Sequence, residues 1–388
     1  MTANPDRLRI LQIVTLISPD AAYGGPERVA FNQTAALTRL GHAATVAAAV
    51  RGYDAAHPAP TERDGVPIAG FRAVTALPGI GFAGLSAPGM VAWFLRRRRD
   101  FDVVHVHVAR DLVTLPIGTA AAAAGLPVVL QSHGMIDPSD KLAAKPLDRM
   151  LTLPLLRRAH RILYLNDTEH ANLIAVAGPD LPYTHLINGV TPDQPADPGR
   201  ADVVPEVVML CRMHARKRPT AFVEAAVALL RSGARARFTL IGPDEGEMDA
   251  VQRMIDASGF GDAITWIGAL EQTATAARMR EAAVYVLPSV DEPYPMSVLE
   301  AMSVGLPVVV LDDNGLAPTV ARYGGGLVVD RSIEALTDAI GTLLADAPMR
   351  ARMGAAAREA IVETHSIDAV AARLADVYRS AVVEPVRR

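Results

Sequence analysis

The chain is nearly without cysteine. Cys211 is its one thiol in 388 residues, so an intrachain disulfide is excluded. That thiol ends the apolar run Val207-Val208-Met209-Leu210, the setting of a buried reduced cysteine rather than a nucleophile or metal ligand. No stretch approaches the length of uninterrupted apolar residues that a membrane-spanning helix needs. The opening MTANPDRLRI is polar, so no secretory signal is expected and the protein reads as soluble and cytoplasmic. The formal net charge is -4, which gives no whole-protein case for nucleic acid as a partner. G-x-G-x-x-G is missing after the first strand, which argues against a nicotinamide dinucleotide site. The one strict D-x-D, Asp100-Phe101-Asp102, precedes a buried strand and reads as its polar start rather than a metal-diphosphate clamp.

What is present is globular: 50% hydrophobic and 21% charged residues, with enough chain for two domains of ordinary size. Leu8 to Ile17 reads as a first buried strand. Gly24-Gly25 then opens a helix to about Leu40, either as a tight turn or as bare backbone against a phosphate or sugar. Ala44 to Val50 is a second strand, and residues 51 to 90 read as irregular with one short strand. Phe101 to Val108 carries His105 and His107 on one face, too few ligands for a metal. Ser132-His133-Gly134 follows the strand ending at Gln131, at the sheet edge where open α/β sheets bind ligands; His133 is a donor to a substrate oxygen or simply a loop histidine. Thr191 to Asp202 is a Pro-rich linker, after which a second series of α/β units begins. Arg96 to Arg99, and Lys141, Lys145, Arg149, Arg157, Arg158 and Arg161 within 141 to 161, are basic runs: solvated faces, or a peripheral membrane or anionic-acceptor contact.

The second series is organised around Tyr285 to Val310, a strand, a polar turn, a helix and another strand. Ser297 with Glu300 reads as a capping box opening the helix, whose N-terminus favours an anion. Glu292 in the turn and Glu300 on the helix form E-x7-E, a ligand-binding pair or one solvated and one capping acid. Arg212 and Lys217 follow the strand that ends at Cys211. Two cations opposite a helix N-terminus suit a diphosphate, and a carboxylate on that helix suits ribose hydroxyls. Two doubly wound halves are thus expected, facing a cleft.

In order and spacing, GGPE (24 to 27), FDVVHVH (101 to 107), SHG (132 to 134), INGV (187 to 190), the R-x4-K of Arg212 and Lys217, IG (241 to 242), WIG (266 to 268) and EPYPMSVLEAMSVGLPVV (292 to 309) resemble the family 4 glycosyltransferases. That resemblance covers nearly the whole chain. It implies the GT-B fold: two Rossmann-like domains, acceptor-binding 1 to 190 and nucleotide-sugar-binding 191 to 366, with a closing helix 367 to 388 crossing back to the first. It implies a retaining, metal-independent hexosyltransferase without cofactor, using a UDP- or GDP-sugar. Arg212 and Lys217 would hold the diphosphate, Glu300 the ribose, and Glu292 and His133 the transferred sugar. Gly24, Gly25, Gly242, Ile267, Met296, Ser297 and Leu299 would line the donor, and Glu27 and His107 the acceptor side. A lipid-linked saccharide in exopolysaccharide synthesis at the inner membrane face is the expected acceptor, with a soluble small molecule as alternative and a silent nucleotide-sugar-binding subunit as rival. The sequence departs from the family at Pro295, Arg218 and Cys211, where relatives often carry glycine.

Overall fold

The computed structural model describes residues 7–19, 24–139, 144–196, 204–270 and 272–384. Lys141 and most of the expected linker lie outside the described residues. The chain divides into two compact units, Met1–Gly189 with Ile367–Arg388, and Val190–Ser366.

In the first unit the strands are β1 (Arg9–Ile17), β2 (Ala43–Val50), β3 (Glu62–Arg63), β4 (Val66–Arg72), β5 (Val74–Thr75), β6 (Leu85–Ser86), β7 (Val103–His107), β8 (Val128–Gln131), β9 (Arg161–Tyr164) and β10 (Tyr183–His185). Its main sheet runs β10-β9-β8-β7-β1-β2-β4-β3, parallel except for the β3–β4 hairpin. The helices are α1 (Gly24–Arg39), α2 (Pro88–Arg97), α3 (Thr114–Ala123), α4 (Ala144–Leu147), α5 (Leu153–Arg158) and α6 (Asp167–Ala177). Every residue of β7 and β8 is buried, as strands covered on both faces require.

The stretch expected to be irregular holds β3 to β6 and the start of α2. Pro67 obscured β4, yet it costs no ladder bond to β2: the β2–β4 pairing begins one residue later, at Ile68. Pro88 occupies the first turn of α2, where its missing N–H is harmless.

The second unit contains β11 (Glu206–Leu210), β12 (Arg237–Ile241), β13 (Ile264–Trp266), β14 (Val284–Leu287), β15 (Val308–Leu311) and β16 (Gly326–Val329). All are parallel, in the order β13-β12-β11-β14-β15-β16. Helices α7 (Pro219–Arg231), α8 (Met248–Ser258), α9 (Gln272–Arg280), α10 (Met296–Ser303), α11 (Ala317–Tyr323), α12 (Ile333–Ala345) and α13 (Ala347–Thr364) cover it. This strand order reverses between β11 and β14, the switch point at which open sheets bind ligands beyond their strand C-termini.

The last helix, α14 (Ile367–Val383), leaves the second unit and belongs to the first. Ile367, Val370, Ala371, Leu374, Ala375, Tyr378 and Ala381 are buried in one cluster with Leu8, Ile10, Leu37, Val103 and Val129. The spacing is that of one apolar helix face, and it completes the core under β1, β7 and β8. Arg39–Asp368 at 2.6 Å and the pair Arg161–Glu384 hold its two ends. Arg161 is therefore used inside the unit rather than as part of a free basic face. Arg96 to Arg99, Lys145, Arg149, Arg157 and Arg158 are exposed.

Beneath α14, the Tyr378 hydroxyl meets His105 Nδ1 at 2.7 Å, both side chains being fully buried. Tyr378→Phe leaves that nitrogen without its partner in a dry core. Urea unfolding of the first unit is expected to register a loss of about 1–3 kcal/mol.

Candidate active site

In the second unit the switch point is built from the loops after β11, β14 and β15, braced by those after β12 and β16. After β11, Met213 N–H donates to the Pro243 carbonyl at 2.8 Å, and a short 3-10 turn at Ala215–Lys217 is capped by His214 Nδ1 accepting from Arg216 N–H. After β14, Val290 N–H donates to the Arg216 carbonyl at 3.0 Å. After β15, Gly315 N–H donates to the Glu292 carbonyl at 2.8 Å, and Asp313 accepts from Asp291 N–H at 3.0 Å. Arg331 adds an ion pair to Asp313 at 2.6 Å, and its own carbonyl accepts from Arg218 Nη2 at 2.9 Å.

These bonds surround Glu292, whose carboxylate is only 8% exposed. Burying a charge is tolerable only if it is paired. Lys217 Nζ donates to Glu292 Oε2, and Arg216 Nη2 lies 3.5 Å from the same oxygen. Lys217 keeps two further donor hydrogens, enough for a second anion. Arg212 faces outward, with Nη1 at 2.9 and 3.0 Å from the two oxygens of Glu245; this exposed pair is weak enough to exchange for a better anion. Burial holds the Cys211 thiol neutral, pushed up to about 12, so it is not a nucleophile.

Helix α10 corrects the expected cap. Its N-cap is Pro295, with no side-chain cap, and Ser297 already lies inside the first turn. Ser297 Oγ instead shares a 2.8 Å hydrogen bond with the buried Tyr285 hydroxyl, which also donates to the Leu210 carbonyl at 3.0 Å. Val298 and Leu299 N–H groups donate to the Pro295 carbonyl at 3.2 and 3.4 Å. Leu299 thus offers neither its buried side chain nor its amide, and helix geometry leaves Met296 and Ser297 as the outward donors. Glu300 is the fifth residue of α10 and partly buried.

Beside β12, Gly242 has φ 143°, and a Cβ there would fall 1.8 Å from the Cys211 carbonyl oxygen. Only glycine fits. Trp266 Nε1 donates to its carbonyl at 2.9 Å, and Ile267 stands 46% exposed beside it. Gly242 itself is buried, its N–H donating to the Gly268 carbonyl at 2.7 Å, so the exposed apolar surface here is that of Ile267 and Trp266.

In the first unit His133 sits beyond β8. Ser132 and Met135 close a turn, Met135 N–H to Ser132 carbonyl at 2.8 Å, with His133 at φ 51° and Gly134 at φ 74°. His133 Nε2 meets His107 Nδ1 at 2.7 Å, and His107 Nε2 meets Gln12 Oε1 at 2.7 Å. The three histidine rings stack in a column, His105 on His107 at 4.6 Å and His107 on His133 at 5.0 Å. His107 was placed on the acceptor side by its sequence. The structure buries it completely behind His133, because β7 is an interior strand. Glu27 is likewise 3% exposed, its carboxylate turned to Arg63 at 2.7 Å. Gly24 and Gly25 open α1, and Gly25 has open space where a side chain would stand.

Burial lowers the pKa of His105 to about 3 and that of His107 well below the ordinary value, neighbouring histidine charge adding to both; His133, partly exposed at the outer end of the column, is lowered to about 3 by the same desolvation. Asp102 pairs with Arg9 at 2.7 Å, at the start of β7. Among the described residues no group of three His, Cys, Asp or Glu side chains could hold a metal ion.

Left-handed backbone marks this chemistry. Among the described residues four non-glycine positions have positive φ: Asp64, His133, Arg218 (55°), which follows Lys217, and Asp291 (51°), which precedes Glu292. Such strain persists where the surrounding structure over-determines it. Sequence reasoning passed over Asp291, Arg216, Glu245, Gln12 and Arg331; the crowding of Arg212, Arg216, Lys217 and Arg218 was the one available signal for Arg216.

Two family profiles match the chain, "Glycosyl transferase 4-like domain" over residues 24–189 and "Glycosyl transferases group 1" over 191–360. The 2-deoxystreptamine N-acetyl-D-glucosaminyltransferase of Streptomyces fradiae is 30% identical over 80% of this chain and 78% of its own length. The chain is a family 4 glycosyltransferase of the GT-B fold. The alpha-D-kanosaminyltransferase of Streptomyces kanamyceticus is 26% identical over 77% of this chain and 84% of its own length. Among solved structures, Anabaena HepE in complex with UDP-glucose superposes with a TM-score of 0.74 at 18% identity, covering 95% of this chain and 98% of that one. Among the described residues no helix is long and apolar enough to cross a membrane.

Two outcomes follow for this glycosyltransferase. Below about pH 6.5 the unfolded chain takes up protons that the buried histidines refuse. Stability is therefore complete above pH 6.5 and is progressively lost as pH falls below it, by up to about 1.4 kcal/mol per pH unit for each proton the folded column excludes. Urea titrations at pH 7.5 and 5 measure this, and His107→Gln should flatten the slope. Separately, Arg218→Gly removes a left-handed cost of about 1–2 kcal/mol, against a smaller gain of entropy in the unfolded chain and the loss of the exposed bond to the Arg331 carbonyl. It should hold or raise the melting temperature, whereas Arg218→Val should lower it.

Proposed function

We propose that the protein moves a hexose-type sugar from a UDP- or GDP-sugar to a hydroxyl group, with retention at the anomeric carbon and without a metal ion. The observation that carries this is Lys217 held on the nearly buried Glu292 at the switch point, with Arg212 on the same loop and the N-terminus of α10 beyond β14. Arg212, Lys217 and the Met296 and Ser297 amides bind the diphosphate and stabilise it as it departs. Glu300 accepts ribose hydroxyls, and Glu292 binds the transferred sugar. The base lies against the exposed Ile267, next to the turn at Gly242. The first unit takes the acceptor, with Gly24 and Gly25 offering amides and His133 meeting the sugar at the reacting carbon. The C1–O bond to the leaving phosphate breaks, the acceptor oxygen bonds to C1 from the same face, and a departing phosphate oxygen takes the acceptor's proton.

For the acceptor, the lipid-linked saccharide expected from the sequence rests on resemblance and on the exposed basic residues, which would also give a peripheral membrane contact. A second reading, a small polyol such as a cyclitol, is favoured by a specific observation. The relative named for transfer to 2-deoxystreptamine matches over 80% of this chain. We take the small polyol as the better-supported acceptor, and the cytoplasm as the place of reaction.

The test begins with UDP and GDP binding by calorimetry in EDTA. Lys217→Ala and Glu300→Ala are each expected to weaken the preferred nucleotide at least about tenfold, and Lys217→Ala to lower kcat by about 10²–10³-fold. UDP-glucose, UDP-N-acetylglucosamine and GDP-mannose are then offered with 2-deoxystreptamine, myo-inositol or a polyprenyl diphosphate saccharide. Transfer to a polyol with the donor's anomeric configuration supports the reading. Transfer to the lipid alone overturns the acceptor, and no nucleotide binding at all overturns the transferase site.

A further inference from the structure

His133 occupies a position that disfavours its own backbone. With positive φ at His133 and Gly134 and the Met135 N–H bonded to the Ser132 carbonyl, residues 132–135 have the signature of a type I′ turn. Glycine or asparagine normally takes the first central position; histidine reaches it only at a cost. Something outside the turn must hold it.

Glu169 does so. It stands in the first turn of α6, whose N-cap Asn166 accepts from Glu169 N–H at 2.9 Å. Its side chain runs back beneath the turn and is 2% exposed. Oε1 accepts from Ser132 Oγ at 2.5 Å and from Gly134 N–H at 2.6 Å, the residues on either side of His133. Oε2 accepts from Leu165 N–H at 2.6 Å, at the end of β9. Three donors thus converge on one carboxylate. An amide could not serve all three, since its NH2 would face one of the N–H groups.

We propose that Glu169 is a positioning residue for sugar transfer: its buried carboxylate pins the turn that presents His133 and so fixes where the imidazole points. The inference rests on the reading that His133 meets the transferred sugar. Glu169 touches no reacting atom; it acts through the two peptide neighbours of His133, while Gln12 and His107 hold the ring from behind.

The experiment compares wild type, Glu169→Gln, His133→Ala and the double variant, using the donor and acceptor selected from the panel above. Histidine ring 15N spectra and melting temperatures are recorded on the same proteins. Glu169→Gln is expected to lower kcat by about 10²-fold, as displacement of a reacting group by about 1 Å does, with the nucleotide Kd unchanged. It should also shift the His133 ring resonances. Because both act through one group, the double variant should be no slower than His133→Ala alone. If the double variant loses the product of the two single effects, or if Glu169→Gln leaves the His133 ring resonances where they were, the proposal is overturned. If His133→Ala turns over normally, the role of His133 falls, and Glu169's role in the reaction falls with it. Should Glu169→Gln fail to fold, Ser132→Ala removes one of the three bonds and should give a smaller fall, about 3–10-fold, with the same ring shift; no shift there also counts against the proposal.

Discussion

The Lys217–Glu292 ion pair is the interaction on which the second unit's site depends. Both side chains are nearly buried, and either charge left there without the other would carry a large desolvation penalty. The two residues come from loops after adjacent strands, β11 and β14, so the pair forms only if both loops are correctly shaped. The Arg216 carbonyl, the Asp313 carboxylate and the Arg331 guanidinium enforce that shape. Arg218 and Asp291 absorb the required reversal of the chain in left-handed backbone. The result is a rigid anchor with spare donors, which is what an anionic ligand needs from a protein.

The first unit buries polarity differently. Its histidine column carries no charge and is held by neutral partners, Tyr378 on His105 Nδ1 and Gln12 and His133 on His107, with His105 Nε2 buried without a partner among the described residues. Neutral hydrogen bonds suffice because burial keeps the imidazoles deprotonated. This arrangement needs a lid over β7, and α14 provides it from the far end of the chain. The final helix is therefore part of the first unit's core, and the polar column under it is the reason its buried face carries a tyrosine at Tyr378.

Much of this was legible in sequence. The parallel strands of the second unit announced themselves as short β-branched runs, and the carriers of the site fell in the loops after them, because ligands gather at strand C-termini. What was lost was lost for local reasons. Ser297-x-x-Glu300 matches a capping box, but the pattern cannot show that a buried phenol twelve residues earlier needs the serine hydroxyl. Pro67 hid a strand because the sequence does not reveal that its ladder to β2 starts at Ile68. Glu27 and His107 were placed on the acceptor side by the family resemblance, while their burial depends on Arg63 and on β7's interior place. Glu169 gave no signal at all, since its role exists only where β8 and β9 lie side by side.

Pro295 shows how a departure from the family can be absorbed. Without an N–H it cannot donate to a phosphate, so the loop offers one amide fewer than a glycine would. Yet proline at the N-cap has its φ already fixed, at -74°, and its carbonyl receives the Val298 and Leu299 amides. The N–H groups left free at this helix start are then those of Met296 and Ser297, on a turn whose entry Pro295 pre-sets. The Arg212–Glu245 pair is exposed and exchangeable. On the proposed reading, the missing amide is offset by a cation held only by an exposed pair, so more of the diphosphate's binding would fall to the cations of the β11 loop.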